Sequence, residues 1–587
     1  MSGDFSSEQK RYLEGFVSGV AASRGAKVES QAKQGLSPTQ GPDGIHFAAQ
    51  DAAVRTGGKL TDQEKWKREQ HPFDAYARLK EQASRDEFPK PPDNFRWRYN
   101  GLFYVAPAQN SYMCRLRIPN GILNHWQMSG VADIAETFGG GYAHVTTRAN
   151  LQIREIAARH AVDVVESIQD IGLTTRGSGA DNIRNVTGDA TAGISTQELL
   201  DTRPYARQWH HHILNDRSLF GLPRKFNVAF DGGGSIPTLE DTNDIGFQAV
   251  DVSGGSSAEA GIWFRLTLGG ITGQRDLARD TGIILRPGEA VKVADAIVRV
   301  FIVHGNRTNR NKARLKYLLD DWGFEKFLSE VELVLGWKMT RIDASLVKDR
   351  PVHNRSAHIG VHAQRQIGLF YLGVALPLGK ITGPQIREIA AVAREFGDGD
   401  IRLSVWQNLL ISGIPEAKIE QAKDRILWAG LRVEASAVRA GLVACTGSVG
   451  CRFAAADTKK NAQQIADWCD LRLDLDTAIN IHLTGCHNSC AQHYIGDIGL
   501  IGTRVPVNDD GDTVDGYHVM VGGGFGVQGR IGRELLQNVR AENIPQTVEF
   551  LLRTYLEHRQ SSSVSFHDFA NAHSSEEIID LMEGLET

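Results

Sequence analysis

The chain repeats itself. The segment IPNGILNHWQMSGVADIAETFGGGYAHVTTRANLQIREI, beginning at Ile118, aligns without a gap on LPLGKITGPQIREIAAVAREFGDGDIRLSVWQNLLISGI, beginning at Leu376, at a constant offset of 258 residues. Pro119 meets Pro377, Gly121 meets Gly379, Phe138-Gly139 meets Phe396-Gly397, Asn150-Leu151 meets Asn408-Leu409, and Gly172-Leu173 meets Gly430-Leu431. Coincidence is a poor account of turn and apolar residues that fall together over about 55 positions. Each copy reads strand, helix, strand, helix. Apolar spacing at Val131, Ile134, Ala135 and Phe138 predicts the first helix, alternation in AHVTTRANLQIRE predicts a strand, and HAVDVVESIQDIG predicts the second helix. The repeat continues, since DIGFQAVDV from Asp244 resembles DIGLIGTRV from Asp497 and IWFRLTLGG resembles YHVMVGGG. The expected fold is therefore α+β, with two halves related by a pseudo-twofold axis and equivalent loops around a shared central cavity.

Composition narrows the class. The 587 residues are 41% hydrophobic and 23% charged with a net charge of −5, which excludes a basic nucleic-acid-binding domain. No run of 18 apolar residues predicts a membrane span. The start, MSGDFSSEQKRYLEGF, lacks a secretory pattern, and six cysteines without a regular framework exclude a disulfide-stapled fold. The expected compartment is the cytoplasm. The first 70 or so residues are rich in Gly, Ser, Gln and Lys, and read as a loosely attached extension with one helix in QKRYLEGFVSGVAA. At the other end, in SSEEIIDLMEGLET, Ser574 or Ser575 is expected to cap a helix that buries Ile578, Ile579, Leu581 and Met582.

Four of the six cysteines form two tight pairs, Cys445 and Cys451 in ACTGSVGC and Cys486 and Cys490 in TGCHNSC. Thiolates cluster in this way to hold soft metal. A structural zinc site more often has two-residue gaps, whereas a [4Fe–4S] cluster accepts varied spacings, and both readings stay open here. Gly447, Gly450 and Gly485 would let backbone N–H groups approach the sulfurs. Cys114 and Cys469 sit in apolar elements and are assigned to the core.

These pairs, together with RLRIPNG, VTTRANLQIR, DNIRNVTG, LPRKFN and HGNR, resemble the sirohaem-dependent nitrite/sulfite reductase family over residues 90 to 535 or so. The resemblance implies that Cys445, Cys451, Cys486 and Cys490 bind a [4Fe–4S] cluster and that Cys490 also bridges to the sirohaem iron. It implies that Arg115, Arg184, Lys225 and Asn227 line the distal pocket. It assigns Arg148, Arg224, Arg314 and Lys316 to the carboxylates of the sirohaem. It further implies an N-terminal extension at 1–75 and ferredoxin-like half-domains at 76–175 and 351–435. Mixed-sheet sirohaem-binding half-domains follow at 176–350 and, with the cluster, at 436–560, before a tail helix at 561–587.

Lys225-Phe226-Asn227 matches the pattern of assimilatory nitrite reductases, whereas sulfite reductases tend to have a second lysine at the position of Asn227. Nitrite is a planar monoanion and needs less positive charge than sulfite, largely a dianion. The implied activity is the six-electron reduction of nitrite to ammonia in nitrate assimilation, by a monomer that takes electrons from ferredoxin or a similar low-potential one-electron donor. Ferredoxin-dependent sulfite reduction is the alternative, with a corrin-pathway oxygenase further off. His144 stands where some sulfite reductases carry an arginine anchor.

Two signals point elsewhere. GGGFGVQG holds a nominal G-x-G-x-x-G at Gly524, Gly526 and Gly529, but no strand ending in an acid follows, so it and FRLTLGGITG read as turns touching the macrocycle. QWHHHIL holds consecutive histidines that do not converge on one ion. A zinc-stabilised binding module on the duplicated scaffold is the competing class.

Overall fold

The computed structural model describes residues 41–255, 258–351, 353–508 and 511–584, so the amphipathic stretch at 9–22 lies outside the described residues. Four sheets carry the fold. The first runs Leu102–Val105, Ser111–Arg115, Leu151–Ile156, Tyr142–Val145 and then Lys380–Thr382; its counterpart runs Gly360–Ala363, Leu369–Val374, Leu409–Pro415, Asp400–Leu403 and then Ile122–Asn124. Each therefore takes its edge strand from the other copy of the repeat. Lys380 pairs with His144, and Asp400 with Asn124. The helices His125–Phe138 and Gly383–Phe396 pack against one another, and both sheets share one continuous core.

The first helix forms where the spacing places it. Val131, Ile134 and Ala135 are buried, and a reciprocal cap between Asn124 and Gln127 starts it. The expected single strand AHVTTRANLQIRE is instead a hairpin, Tyr142–Val145 and Leu151–Ile156, with a turn at Thr146–Asn150. Ala149 lies at φ +46°, in the left-handed region, and the Thr146 N–H donates to the Asn150 carbonyl. That turn projects Arg148.

The other two sheets are mixed. In one, Thr187–Gly188, Val228–Asp231 and Ile245–Val252 run parallel and Gly261–Leu268 and Arg279–Leu285 return antiparallel. In the other, Leu442–Ala444, Ile481–Thr484 and Ile498–Pro506 run parallel, followed by Thr513–Val521 and Arg533–Arg540. The equivalence reaches single bonds. The Asn227 N–H donates to Asp244 Oδ2 at 2.8 Å, and the Asn480 N–H donates to Asp497 Oδ2 at 2.8 Å.

Three expectations need correction or sharpening. Residues 41–75 are not loosely attached: the helix Gly44–Arg55 packs on Ala290–His304, and Glu64 and Lys67 are buried in a charge network with Asp181, Arg307 and Arg310. Gly524-x-Gly526-x-x-Gly529 joins two antiparallel strands rather than opening a helix. Its turn lies against Asp241 and His353, away from the cysteines, whereas the Gly273 turn of the other half lies against the backbone of His487 and Asn488. At the C-terminus Ser574 caps the helix Ser575–Glu583 reciprocally with Glu577, and Ile578 is buried as expected.

Candidate active site

Cys445 follows the strand Leu442–Ala444, and Gly485-Cys486 follows its parallel neighbour Ile481–Thr484. Both thiols thus sit at the carboxyl ends of adjacent parallel strands, where α/β sheets place their ligands. Of the three glycines expected to bring N–H groups to sulfur, Gly485 does so, donating to Cys445 Sγ at 3.2 Å, whereas the Gly450 N–H bonds to the Gly447 carbonyl. The side-chain amide of Asn488 donates to Cys486 Sγ at 3.4 Å. Cys490 lies in the electrostatic field of the other three thiols. Among the described residues, no three His, Cys, Asp or Glu side chains converge on a single-ion site. Four thiols on adjacent loops, within one another's electrostatic reach, suit a cluster. Cys114 and Cys469 are core residues.

Opposite the cysteines stands a row of cations. Arg115 and His144 both pair directly with Gln152 across the first sheet, so the three share a face, and Arg154 lies two residues further along it. The Arg115 guanidinium stacks 4.6 Å from the centroid of Phe103. Arg148 donates to Asn243 Oδ1 at 2.6 Å. Arg184 donates to the carbonyls of Ser178 and Ala180 at 2.8 and 2.6 Å, while its Nε is buried without a partner. The Arg184 N–H donates to the Phe226 carbonyl, which fixes Lys225 and Asn227 beside it. Asn227 is 2% exposed and its amide oxygen has no partner.

Arg115, Arg148, Arg184 and Lys225 are deeply enclosed yet keep accessible surface, which is how groups lining an internal hollow present themselves. None of the four has a carboxylate ion-pair partner among the described residues. Burial pulls Arg115 and Arg148 down to about 10, with Cys490 opposing the shift in both. Burial and then Arg314 pull Lys225 down to about 7. In Lys225 the unfolded chain holds its proton up to the ordinary value of 10.5, whereas the folded protein releases it near 7. The unfolded state thus binds more protons across that window, and stability rises with pH through it. Urea unfolding of the cofactor-free protein should show this rise between pH 7 and pH 10, and Lys225→Met should reduce it.

Other expected anchors are placed differently. Arg314 is held bidentately by Asp244, at 2.7 and 3.2 Å, beside the hollow. Arg224 is about one-third exposed on the rim, 4.0 Å from Asp181. Lys316 is not brought to the hollow, because its ammonium bridges Asp276 and Asp320 at 2.8 and 2.7 Å. Of the histidines in QWHHHIL, His210 is buried, His211 is exposed and His212 pairs with Asp295, so they share no site. The equivalent positions of the second half carry no such cations. Gly373, Trp406, Ala440 and Ala478 stand in place of Arg115, Arg148, Arg184 and Lys225, so the second half does not repeat this cation set.

Cys490 meets the cation-bearing turn directly, since the Thr147 hydroxyl, next to Arg148, donates to its carbonyl at 2.9 Å, and the fields of Arg115, Arg148 and Lys225 act on it together with those of the other thiols. The family model for the nitrite and sulphite reductase 4Fe-4S domain matches residues 179–339 and 435–565, and that for the nitrite/sulfite reductase ferredoxin-like half domain matches 106–171 and 362–427. This chain belongs to the nitrite and sulphite reductase family. The reductase is 34% identical to the ferredoxin–nitrite reductase of Leptolyngbya laminosa over 78% of this chain and 89% of that protein. With the ferredoxin–nitrite reductase of Synechococcus elongatus it shares 32% identity over 78% and 88%. The solved structure of the NirA protein of Mycobacterium tuberculosis superimposes with a TM-score of 0.80 at 26% identity, covering 90% of this chain and 99% of that one.

The donor set of the reductase suits an acidic macrocycle and an iron–sulfur cluster. Four enclosed cations without carboxylate partners require anions from outside the chain, and four thiols require metal to take up their charge. Sequence reasoning missed Asn243, which orients Arg148, and Arg154, which reaches the cysteine loop from the other half. Asn243 carries no signal of its own. Arg154 could have been noticed as a charge at a strand position that shares a face with Gln152.

Proposed function

We propose that the reductase catalyses the six-electron, eight-proton reduction of nitrite to ammonium and two waters, with ferredoxin as donor. A sirohaem in the cation-lined hollow, when bound, supplies the reducing iron, and the adjoining [4Fe–4S] cluster on Cys445, Cys451, Cys486 and Cys490 supplies the electrons. The observation that supports this reading is the meeting of the two sets at Cys490, whose carbonyl accepts from the Thr147 hydroxyl, next to Arg148, at 2.9 Å. Arg148, with Arg314 and Arg224 beside it, would hold carboxylates of the macrocycle. Arg115, Arg184 and Lys225 would bind the anion and offset the oxide charge that develops as oxygen leaves, and Lys225, with its proton released near 7, is poised to give and regain one. Asn227 would orient the substrate without adding charge. All contributors lie in one chain, which supports a monomer. The free thiols of Cys114 and Cys469 and a thiolate-bound cluster support a reducing compartment such as the cytoplasm.

The purified protein should be coloured, with the Soret and red bands of a sirohaem, and should turn over nitrite faster than sulfite with reduced methyl viologen. A colourless protein, or one that prefers sulfite, would contradict the reading. Asn227→Lys should move the sulfite-to-nitrite activity ratio upward by roughly tenfold, the worth of one charge-assisted contact to a dianion. An unchanged ratio removes Asn227 from substrate choice.

A further inference from the structure

We infer that Arg154 and Lys459 set the reduction potential of the cluster, by holding two positive charges beside the loop that carries Cys445 and Cys451. This inference rests on the proposed cluster.

Arg154 comes from the first ferredoxin-like sheet and is 3% exposed. Its NH1 and NH2 donate to the Gly450 carbonyl at 3.2 and 3.3 Å, NH2 reaches Thr446 Oγ1 at 3.4 Å, and NH1 reaches Gln109 Oε1 at 3.0 Å. Both Thr446 and Gly450 lie between Cys445 and Cys451. A Cβ at position 450 would stand 2.4 Å from NH1, so glycine is what admits the guanidinium there. Among the described residues Glu155 is the one carboxylate within its electrostatic reach, and it makes no ion pair with Arg154. Arg154 makes no ion pair among the described residues, its Nε is buried without a partner, and the neighbouring Glu155 is bonded to the Tyr142 hydroxyl at 2.5 Å. The thiols within its electrostatic reach are Cys451 and Cys445. A guanidinium buried in this way is stable only beside an anion, and four thiolates on a cluster supply one.

Lys459 adds an independent observation. It occupies the first turn of the helix Thr458–Asp470, where the helix dipole already disfavours a cation. Its ammonium is enclosed, donates only to the Leu378 carbonyl, and makes no ion pair among the described residues. Burial pulls the ammonium down to about 7, and Cys445 is the foremost group that opposes this and favours its charge, as the anionic cluster would do more strongly. The same helix start also gives Thr458 Oγ1 to the Cys445 carbonyl at 2.8 Å. Guanidinium, ammonium and helix N-terminus thus surround Cys445 and Cys451 with positive potential. The cluster gains one negative charge on reduction, so this field favours the reduced form and raises its potential, which draws electrons from a low-potential donor.

The test is a potentiometric titration of the loaded enzyme, followed by the electron paramagnetic resonance of the reduced cluster. Arg154→Gln keeps hydrogen bonds but removes the charge, and should shift the redox equilibrium toward the oxidised cluster by about tenfold, or about 59 mV. Arg154→Lys should restore most of that shift, and Lys459→Gln should move the potential the same way. The inference is overturned if Arg154→Gln and Arg154→Lys give equal potentials, or if Lys459→Gln leaves the potential unmoved. Should Arg154→Gln fail to assemble a cluster, Lys459→Gln decides by the same criterion. An unloaded wild-type protein would fault the cofactor reading instead, whereas an unmoved potential in a loaded variant faults only this inference.

Discussion

Replacing Cys490 by alanine is expected to lower nitrite turnover by at least about a thousandfold and to change the visible spectrum of the protein. Cys490 is bonded through its carbonyl to Thr147, next to Arg148, and lies within the electrostatic reach of the other three thiols and of Lys225. Its loss should disconnect the electron-carrying side of the site from the anion-binding side. The control is Cys469→Ala, which removes a buried sulfur from the helix Thr458–Asp470. That change should cost on the order of 1 to 2 kcal/mol of stability through lost packing, with the spectrum and iron content intact. Iron analysis, absorption and methyl-viologen turnover on both variants check the expectation. Equal behaviour of the two would remove Cys490 from the site.

Glu64→Ala is expected to be the most destabilising single change outside the cysteine loops, by about 3 to 5 kcal/mol. The carboxylate is fully buried, pairs with Arg307 at 2.7 Å, accepts from Gln50 at 2.9 Å and holds Lys67. Truncating it leaves the buried Arg307 without a carboxylate and Lys67 with only Asp181, at 3.5 Å. Lys67 in turn donates to the carbonyls of Leu222 and Gly221, at 2.9 and 3.3 Å, just before Arg224 and Lys225. Cofactor content should therefore fall along with the urea midpoint, and Glu64→Gln should be milder in both. An unfolding free energy within about 0.5 kcal/mol of wild type would show that the network does not hold this segment.

The sequence showed the halves and the cysteines clearly because their signals are local or repeated. A constant offset survives in turn glycines such as Gly121 and Gly379, and thiols in glycine-rich loops have few other uses. The anion-binding arginines were legible only through their motifs, since an isolated arginine carries no mark of burial. What was hidden depends on distant partners. Arg154 meets Gly450 across 296 positions, and Lys67 meets Asp181 across 114. Periodicity says which face a residue occupies, not what lies opposite. The break in AHVTTRANLQIRE was missed because alternation continues in register through a tight turn, and only the positive φ of Ala149 reveals it.

Each ferredoxin-like sheet is completed by a strand from the other copy, Lys380–Thr382 in one and Ile122–Asn124 in the other. The plane between the copies is stitched on both sides by backbone hydrogen bonds, and so it cannot act as a hinge. Six successive one-electron deliveries can then proceed in a chamber whose walls stay put, with no clamshell opening to admit water. A single copy produced alone would have an unfilled sheet edge and should associate in pairs, recreating the joint that the full-length chain makes within itself.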